Sequence, residues 1–234
     1  MPGPYGGPYV DRMTEIAGTE LPPSRPAGAW PRIFARAYDP SLWLGELAGM
    51  RRLRNDLLRD ALGRVVEIGA GTGLNVEHYP DGISELVLVE PDAAMRRQLG
   101  TRVQRRARRA HIVDASAEHL PLPDASADTV VSTLVLCTVD EPDRALREIA
   151  RVLRPDGRLM FIEHVRASSA FLAACQDRLL APWRLFAGGC RCNRQTVELM
   201  RACGFEVTAD SVAWRCMPPI VRPLMVGRAT PPSP

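Results

Sequence analysis

The sequence predicts an α/β chain built on a doubly wound, mostly parallel seven-stranded sheet with an antiparallel last strand. Three observations predict it. Short apolar runs at 64–68, 85–89, 110–113, 128–132 and 158–162 alternate with helical patterns at 73–79, 92–107 and 142–153. Such βαβ alternation requires a parallel sheet covered on both faces. Two more strand-like runs, 205–214 and 221–227, are separated by Pro218-Pro219, so a short connection joins the final pair. Between the first strand and the next helical pattern stands Gly69-Ala70-Gly71-Thr72-Gly73, a strand-to-helix turn rich in glycine.

Residues 1–29 contain many Pro and Gly with little apolar periodicity and read as a flexible arm. Helical spacing begins at Trp30–Tyr38 and continues over Leu42–Leu62. There Leu47, Met50, Leu53, Leu57, Leu58 and Ala61 line one face, and Arg51, Arg52, Arg54 and Arg59 fall largely outside it. Arg154-Pro155-Asp156-Gly157 ends the helix before the fifth strand and supplies a tight turn. Residues 168–187 read as helical with Pro182 as a break, followed by Gly188-Gly189. Asn193 is a candidate N-cap for a helix ending at Ala202, with Gly204 as its stop. One domain over 30–228 is expected, with helical cap elements at 30–62 and 168–192 and a tail at 229–234.

Composition excludes several classes. At 46% hydrophobic and 24% charged residues the chain is an ordinary globular protein. A net charge of +3 does not call for nucleic acid or an anionic membrane. All 30 basic residues are arginines, and seven lie between Arg96 and Arg109. No aromatic residues are interleaved with those seven for base stacking, so they read as a solvated helix face. No run of 18 apolar residues exists and Met1–Val10 lacks the pattern of a secretory signal, so a cytoplasmic protein with no integral membrane segment is expected. Six cysteines, at 137, 175, 190, 192, 203 and 216, include only one close pair, Cys190 and Cys192. No second Cys or His pair completes a tetrahedral site by linear spacing, so no metal is expected.

The glycine turn carries the chemistry. Glycine lets bare backbone approach a ligand, and a following helix would offer free N–H donors. Glu67 precedes the turn, giving Glu-x-Gly-x-Gly-x-Gly, while Leu74 stands where a dinucleotide fingerprint needs glycine. A carboxylate at Glu67 suits a cationic group, such as an amino-acid ammonium, better than a pyrophosphate. Glu90 ends the second strand, placed for two ribose hydroxyls, and Asp114 ends the third, where it can accept from an adenine amino group.

This ordered set resembles the class I S-adenosylmethionine-dependent methyltransferases. Val65–Asn75 is similar to their first motif, Leu86–Asp92 to their second strand with its ribose-binding acid, and Asp114–Glu118 with Leu120-Pro121-Leu122 to their adenine-binding segment. Arg151–Gly157 resembles their entry to the fifth strand. The resemblance implies S-adenosyl-L-methionine as cofactor. Glu67, Gly69, Ala70, Gly71, Gly73 and Asn75 would hold its methionine portion, Glu90 and Pro91 its ribose, and Asp114 and Ala115 its adenine. Thr133 and Leu134 would lie beneath it.

Outside that core, Ser132–Val139, Phe161–Val165 and the segment from Leu180 to Thr196 resemble methyltransferase-like proteins that methylate alkyl thiols. The resemblance implies a small-molecule thiol as methyl acceptor. The alternatives are N-, O- or C-methylation of a quinone or specialised metabolite, and cofactor binding without catalysis. A thiol needs little activation, being already a few per cent thiolate at neutral pH. His164 ends the fifth strand at the ligand edge, near His119 and Asp140 in this reading, and is the candidate catalytic base. Glu163 has a buried, paired role. Cys137, Trp183, Cys190 and Asn193 are candidate acceptor-binding residues, with Trp183, Phe186 and the Gly188-Gly189 hinge as a possible lid.

Overall fold

A computed structural model describes residues 29–232, with side-chain detail from Arg32 onward. The expected arm at 1–29 therefore falls almost entirely outside the described residues. In chain order the elements are α1 (Ala29–Gly45), a π-helical turn (Glu46–Met50), α2 (Arg51–Leu58), β1 (Arg64–Ile68), β2 (Glu85–Val89), α3 (Ala93–Arg105), β3 (His111–Val113), β4 (Ala127–Thr133), α4 (Pro142–Val152), β5 (Leu153–His164), α5 (Ala170–Phe186), α6 (Thr196–Ala202), β6 (Glu206–Ala213), a 3₁₀ turn (Pro219–Val221) and β7 (Pro223–Thr230).

The seven strands form one sheet in the order β3-β2-β1-β4-β5-β7-β6. The first five run parallel, and β7 lies antiparallel to both β5 and β6. This geometry follows from the connections: the short link from β6 to β7 permits only an antiparallel return, whereas parallel neighbours need long crossovers. Strand order reverses between β1 and β4, and in open α/β sheets ligands bind in the crevice at the carboxyl ends beside such a switch point. The glycine turn leaves β1 at that crevice.

Alternation along the strands separates two cores. On β4 and β5, Val130, Leu159 and Phe161 face the layer containing Leu146, Ile149, Val197 and Met200. Their neighbours Val131, Met160 and Ile162 face Leu57, Leu58, Leu99 and Val103. The central strands are thus buried on both faces, as their continuous apolar runs require.

Several expectations change. Residues 73–79 form successive turns instead of a helix, with Val76 and His78 N–H groups donating three residues back. Pro182 lies within a continuous α5. Gln195, not Asn193, precedes α6, and no side chain caps that helix. Asn193 instead donates to Asp177 across 2.8 Å. In the amphipathic segment, the π-helical turn with Gly49 at φ 137° shifts the helical phase. Leu47 is therefore 61% exposed, while Arg54 is buried. Residues 154–157 bulge between the Ala127–Leu153 and Thr129–Arg158 pairs, so the expected turn lies inside β5. β7 continues to Thr230, into the segment read as a tail. Among the described residues no helix is long and apolar enough to cross a membrane.

Gln176 fastens α5 to the strand edge. Its side-chain amide nitrogen donates to the carbonyls of Val165, Cys192 and Ile220, and its oxygen accepts from Ala167 N–H. Gln176→Leu leaves these buried backbone groups unpaired and should cost about 1–3 kcal/mol. Urea unfolding with an unchanged slope and a lower midpoint is the expected result.

Candidate functional site

The glycine turn is held from four sides. Ala70 N–H donates to Val89 O across 2.9 Å, which draws the turn towards β2. Glu90 accepts from Gly71 N–H through one carboxylate oxygen and from Asp92 N–H through the other, both at 2.8 Å. Asp92 in turn caps α3 through Ala94 and Met95 N–H groups. The glycines divide their roles. Gly71, at φ 58°, has among the described residues only the Gly69 carbonyl, at 3.9 Å, within 4 Å of where a Cβ would stand, so its outer side is bare. Gly73, at φ 86°, packs directly on Leu99, where a Cβ would fall 2.7 Å away. Gly71 therefore leaves room for a ligand, and Gly73 serves contact between turn and helix.

Beneath the turn runs a buried polar chain. Glu67 accepts from Asn75 Nδ2 and from the Tyr79 hydroxyl, each at 2.8 Å. The Asn75 carbonyl accepts from Arg54 at 2.7 Å, and Arg54 pairs with Glu46 at 3.0 Å. Asn75 also donates to Thr133 Oγ1 at 3.0 Å, linking the turn to the end of β4. Arg54, Glu46 and Tyr79 escaped the sequence reading. Periodicity placed Arg54 on the solvent face because it did not anticipate the π-helical turn, and a tyrosine at the end of a turn region carries no motif. Burial pushes Glu67 up to about 7, with its two hydrogen bonds and Arg54 opposing. Burial likewise raises Glu90, against its two backbone donors.

Asp114 faces Arg96, whose two terminal nitrogens lie 2.5 and 2.6 Å from its oxygens. Ala115 is buried, whereas Pro91 is exposed. The loop after Asp114 is held by Arg151, which donates to the carbonyls of Leu120 and Leu122 at 2.8 Å and pairs with Glu148. The arginines of α3 and the residues after it are engaged as well: Arg102 pairs with Asp39, Arg106 with Glu77 and Arg108 with Asp81. α1 crosses above the glycine turn, where Asp39 also accepts from the Thr72 hydroxyl at 2.6 Å and Ala35 O accepts from Gln98.

At the carboxyl ends of β4 and β5 lies an apolar cluster of buried side chains. Leu134 turns with φ 60°, a conformation costly for a side chain with a Cβ. Glu163 holds it there. This fully buried carboxylate accepts from the Ser132 hydroxyl and from the N–H groups of Val135, Leu136 and Cys137 at 2.7–3.1 Å. The next residue, His164, is 5% exposed. Its Nδ1 lies 3.5 Å from both Cys137 Sγ and Cys190 Sγ, and its Nε2 has no partner among the described residues. Trp214 stacks on the imidazole with centroids 5.8 Å apart. Cys137, Cys190, Cys192, Ile220 and Val221 pack with half-buried Leu134 and Trp183.

The Cys137 thiol is held well above its ordinary value by its contact with Cys190, then by burial. Desolvation raises the Tyr38 hydroxyl, which approaches from α1 and feels both cysteines. The backbone N–H of His119 bonds Ser116 O, and Asp140 faces Arg191. Asn193 belongs to the Arg166–Asp177 ion pair. Phe186 is 63% exposed, whereas Trp183 packs on the cluster. A cleft of about 960 Å³ between α1 and α3, lined by Asp39, Leu74 and Gln98 among others, shares no residue with this cluster.

A bare glycine turn with strand-end acids at 90 and 114, at the switch point of this sheet, defines a class I S-adenosylmethionine-dependent methyltransferase. The family model described as a methyltransferase domain matches residues 66–161. Thiol S-methyltransferase TMT1B of rat is 36% identical over 136 residues, covering 56% of this chain and 55% of that protein. Its human counterpart is 33% identical over 176 residues, covering 73% and 70%. The ubiquinone/menaquinone biosynthesis C-methyltransferase UbiE of Pseudomonas paraeruginosa is 33% identical over 194 residues, covering 76% and 74%. A solved S-adenosylmethionine-dependent methyltransferase from Thermotoga maritima superposes with a TM-score of 0.62 at 24% identity, covering 85% of this chain and 96% of that one. The chain belongs to the S-adenosylmethionine-dependent methyltransferases and uses S-adenosylmethionine as its cofactor. It spans little more than half the length of the first thiol S-methyltransferases it matches.

Glu67 gives the site a pH signature. A carboxyl raised from 4.5 to about 7 binds a proton in the folded state across that interval that the unfolded chain has released. Stability from this group is therefore fully present below 4.5 and is lost as pH rises through about 7. Glu67→Gln should remove the dependence, becoming more stable relative to the parent at pH 8 than at pH 5, by at most about 3 kcal/mol. Denaturant unfolding at the two pH values measures the difference.

Proposed function

We propose that the chain S-methylates a small-molecule thiol bound against the apolar cluster at the ends of β4 and β5. The observation that carries this reading is His164. It is a buried imidazole at the ligand edge, walled by apolar and sulfur-bearing side chains, with one ring nitrogen unpartnered. Such surroundings favour a polarisable, weakly hydrated acceptor over an amine or a highly polar alcohol. The relatives named thiol S-methyltransferases support the same choice.

On this reading Gly69, Ala70 and Gly71 supply backbone to the methionine portion of the cofactor, and Glu90 and Pro91 border its ribose. Asp114 and Ala115 border the adenine. Asn75, Gly73 and Glu67 act mainly by shaping the turn, through the contacts described above. Thr133 and Leu134 form the floor. Bound S-adenosylmethionine supplies an electrophilic methyl group. The protein's task is alignment of the acceptor sulfur with that carbon, which demands little covalent chemistry. Cys137, Cys190 and Trp183 wall the acceptor, and Nε2 of His164 can take its proton. Asn193, engaged by Asp177, contributes by fixing the segment that carries Cys190 and Cys192.

Two measurements test this. With labelled S-adenosylmethionine, alkyl thiols should be methylated in preference to amines, phenols and quinols, and His164→Ala should lower turnover about 10²–10⁴-fold. Transfer to quinols or phenols but not thiols overturns the thiol reading, and binding without turnover on any acceptor supports a non-catalytic role. Glu90→Ala should weaken cofactor binding by about 1–3 kcal/mol. Calorimetry showing unchanged affinity would remove Glu90 from the ribose.

A further inference from the structure

Cys137, His164 and Cys190 reach one point from three segments: the loop after β4, the last residue of β5 and the segment following α5. Their sulfur and nitrogen atoms form a triangle. The two Sγ–Nδ1 sides are each 3.5 Å, and the Sγ–Sγ side is 3.8 Å. A tetrahedral ion with metal–sulfur bonds near 2.3 Å and metal–nitrogen bonds near 2.0–2.1 Å requires edges of about 3.5 Å and about 3.8 Å respectively. All three sides match. We propose that Cys137, His164 and Cys190 bind one zinc-class divalent ion, whose fourth position receives the sulfur of the acceptor thiol.

The donor set supports this choice. Two thiolates and an imidazole select a soft or borderline ion over magnesium or calcium. Two thiolate charges also cancel a divalent ion, which suits the apolar surroundings of Ile220, Val221 and Leu134. Among the described residues three protein ligands meet here and no fourth Cys, His, Asp or Glu joins them; three protein ligands is the count of catalytic zinc, whereas structural sites close the fourth position with protein. Linear spacing hid the site because the second thiol is not Cys192, two residues away. It is Cys137, 53 residues earlier in the chain.

The acceptor part of this inference rests on the thiol reading and names how the thiol is activated. A thiol entering the open position forms a metal–sulfur bond and releases its proton to solvent. The bound thiolate then forms the new sulfur–carbon bond while the sulfonium carbon–sulfur bond breaks, its electron pair staying with the leaving sulfur. The product, a neutral thioether, is a weaker ligand and departs. In the loaded chain the acceptor's proton is lost on coordination, and Nε2, which carries the imidazole proton once Nδ1 is a ligand, gives up the base role proposed above, which belongs to the metal-free chain.

The test begins without acceptor. The full chain, exposed to zinc(II) or cobalt(II) and freed of excess, should retain about one equivalent of metal. The cobalt form should show thiolate-to-cobalt charge-transfer absorption and tetrahedral ligand-field bands. Cys137→Ser, Cys190→Ser and His164→Ala should each weaken uptake about tenfold or more, and Cys216→Ser should not. Where a variant fails to fold, the cobalt spectrum of the parent chain decides the ligands. Substoichiometric metal, a cobalt spectrum without thiolate bands, or full retention in Cys190→Ser overturns the site. Metal uptake together with no methylation of any thiol leaves the site standing and removes the thiol reading. Undiminished thiol methylation by the chelator-stripped chain removes the ion's part in activation.

Discussion

The arrangement depends above all on one buried carboxylate. Glu163 has no access to water and is instead surrounded by four donors, three of them consecutive backbone N–H groups of the loop after β4. Hydrogen bonds to a charged group in a low-dielectric interior are strong, and leaving such a charge unpaired is costly. The loop therefore has little freedom, and Leu134 accepts a left-handed conformation to complete the cradle. That one constraint sets two distances. It brings Cys137 to the imidazole of the residue following Glu163, and it lays Val135 against Gly69, where a Cβ would meet it at 2.6 Å. The glycine turn and the surroundings of His164 are positioned by the same group.

A second network ties the helical cap to this centre. The path from Glu46 through Arg54, Asn75 and Glu67 to Tyr79 passes from the π-helical turn to the far end of the glycine segment. Its members are nearly dry, so each relies on its neighbour for polar satisfaction. α1 is joined to the same region through Asp39, Thr72 and Arg102. The far end of α1 reaches the indole that stacks on His164, since Gly45 packs so closely on Trp214 that a Cβ would stand 2.5 Å from the indole nitrogen. One helix thus touches both the glycine turn and the surroundings of His164.

The sheet was legible because its strands are short, apolar and separated by recognisable turns, and each of the seven lies within a few residues of its expected place. Glu67, Glu90, Asp114 and the glycines could be found because a strand end fixes where a side chain emerges. Less legible were features that depend on partners distant in sequence. The phase of a helix after a π-helical turn decided whether Arg54 was inside or outside. The role of Asn193 was decided by Asp177 on another helix, which a local capping pattern does not contain. Most of all, the meeting of Cys137 with Cys190 at His164 exists only once β4, β5 and α5 are folded.

Every cation in these fastenings is a guanidinium, because the chain contains no lysine. Arg54, Arg96, Arg102, Arg106, Arg108 and Arg151 keep their charge at any pH a protein survives. Alkaline solution therefore cannot loosen the ion pairs that hold cap, cofactor turn and adenine loop together by discharging their basic partners. Among the interior groups, Glu67 is the carboxyl that burial carries into the neutral range. Its protonation is thus read against a frame whose positive charges stay constant.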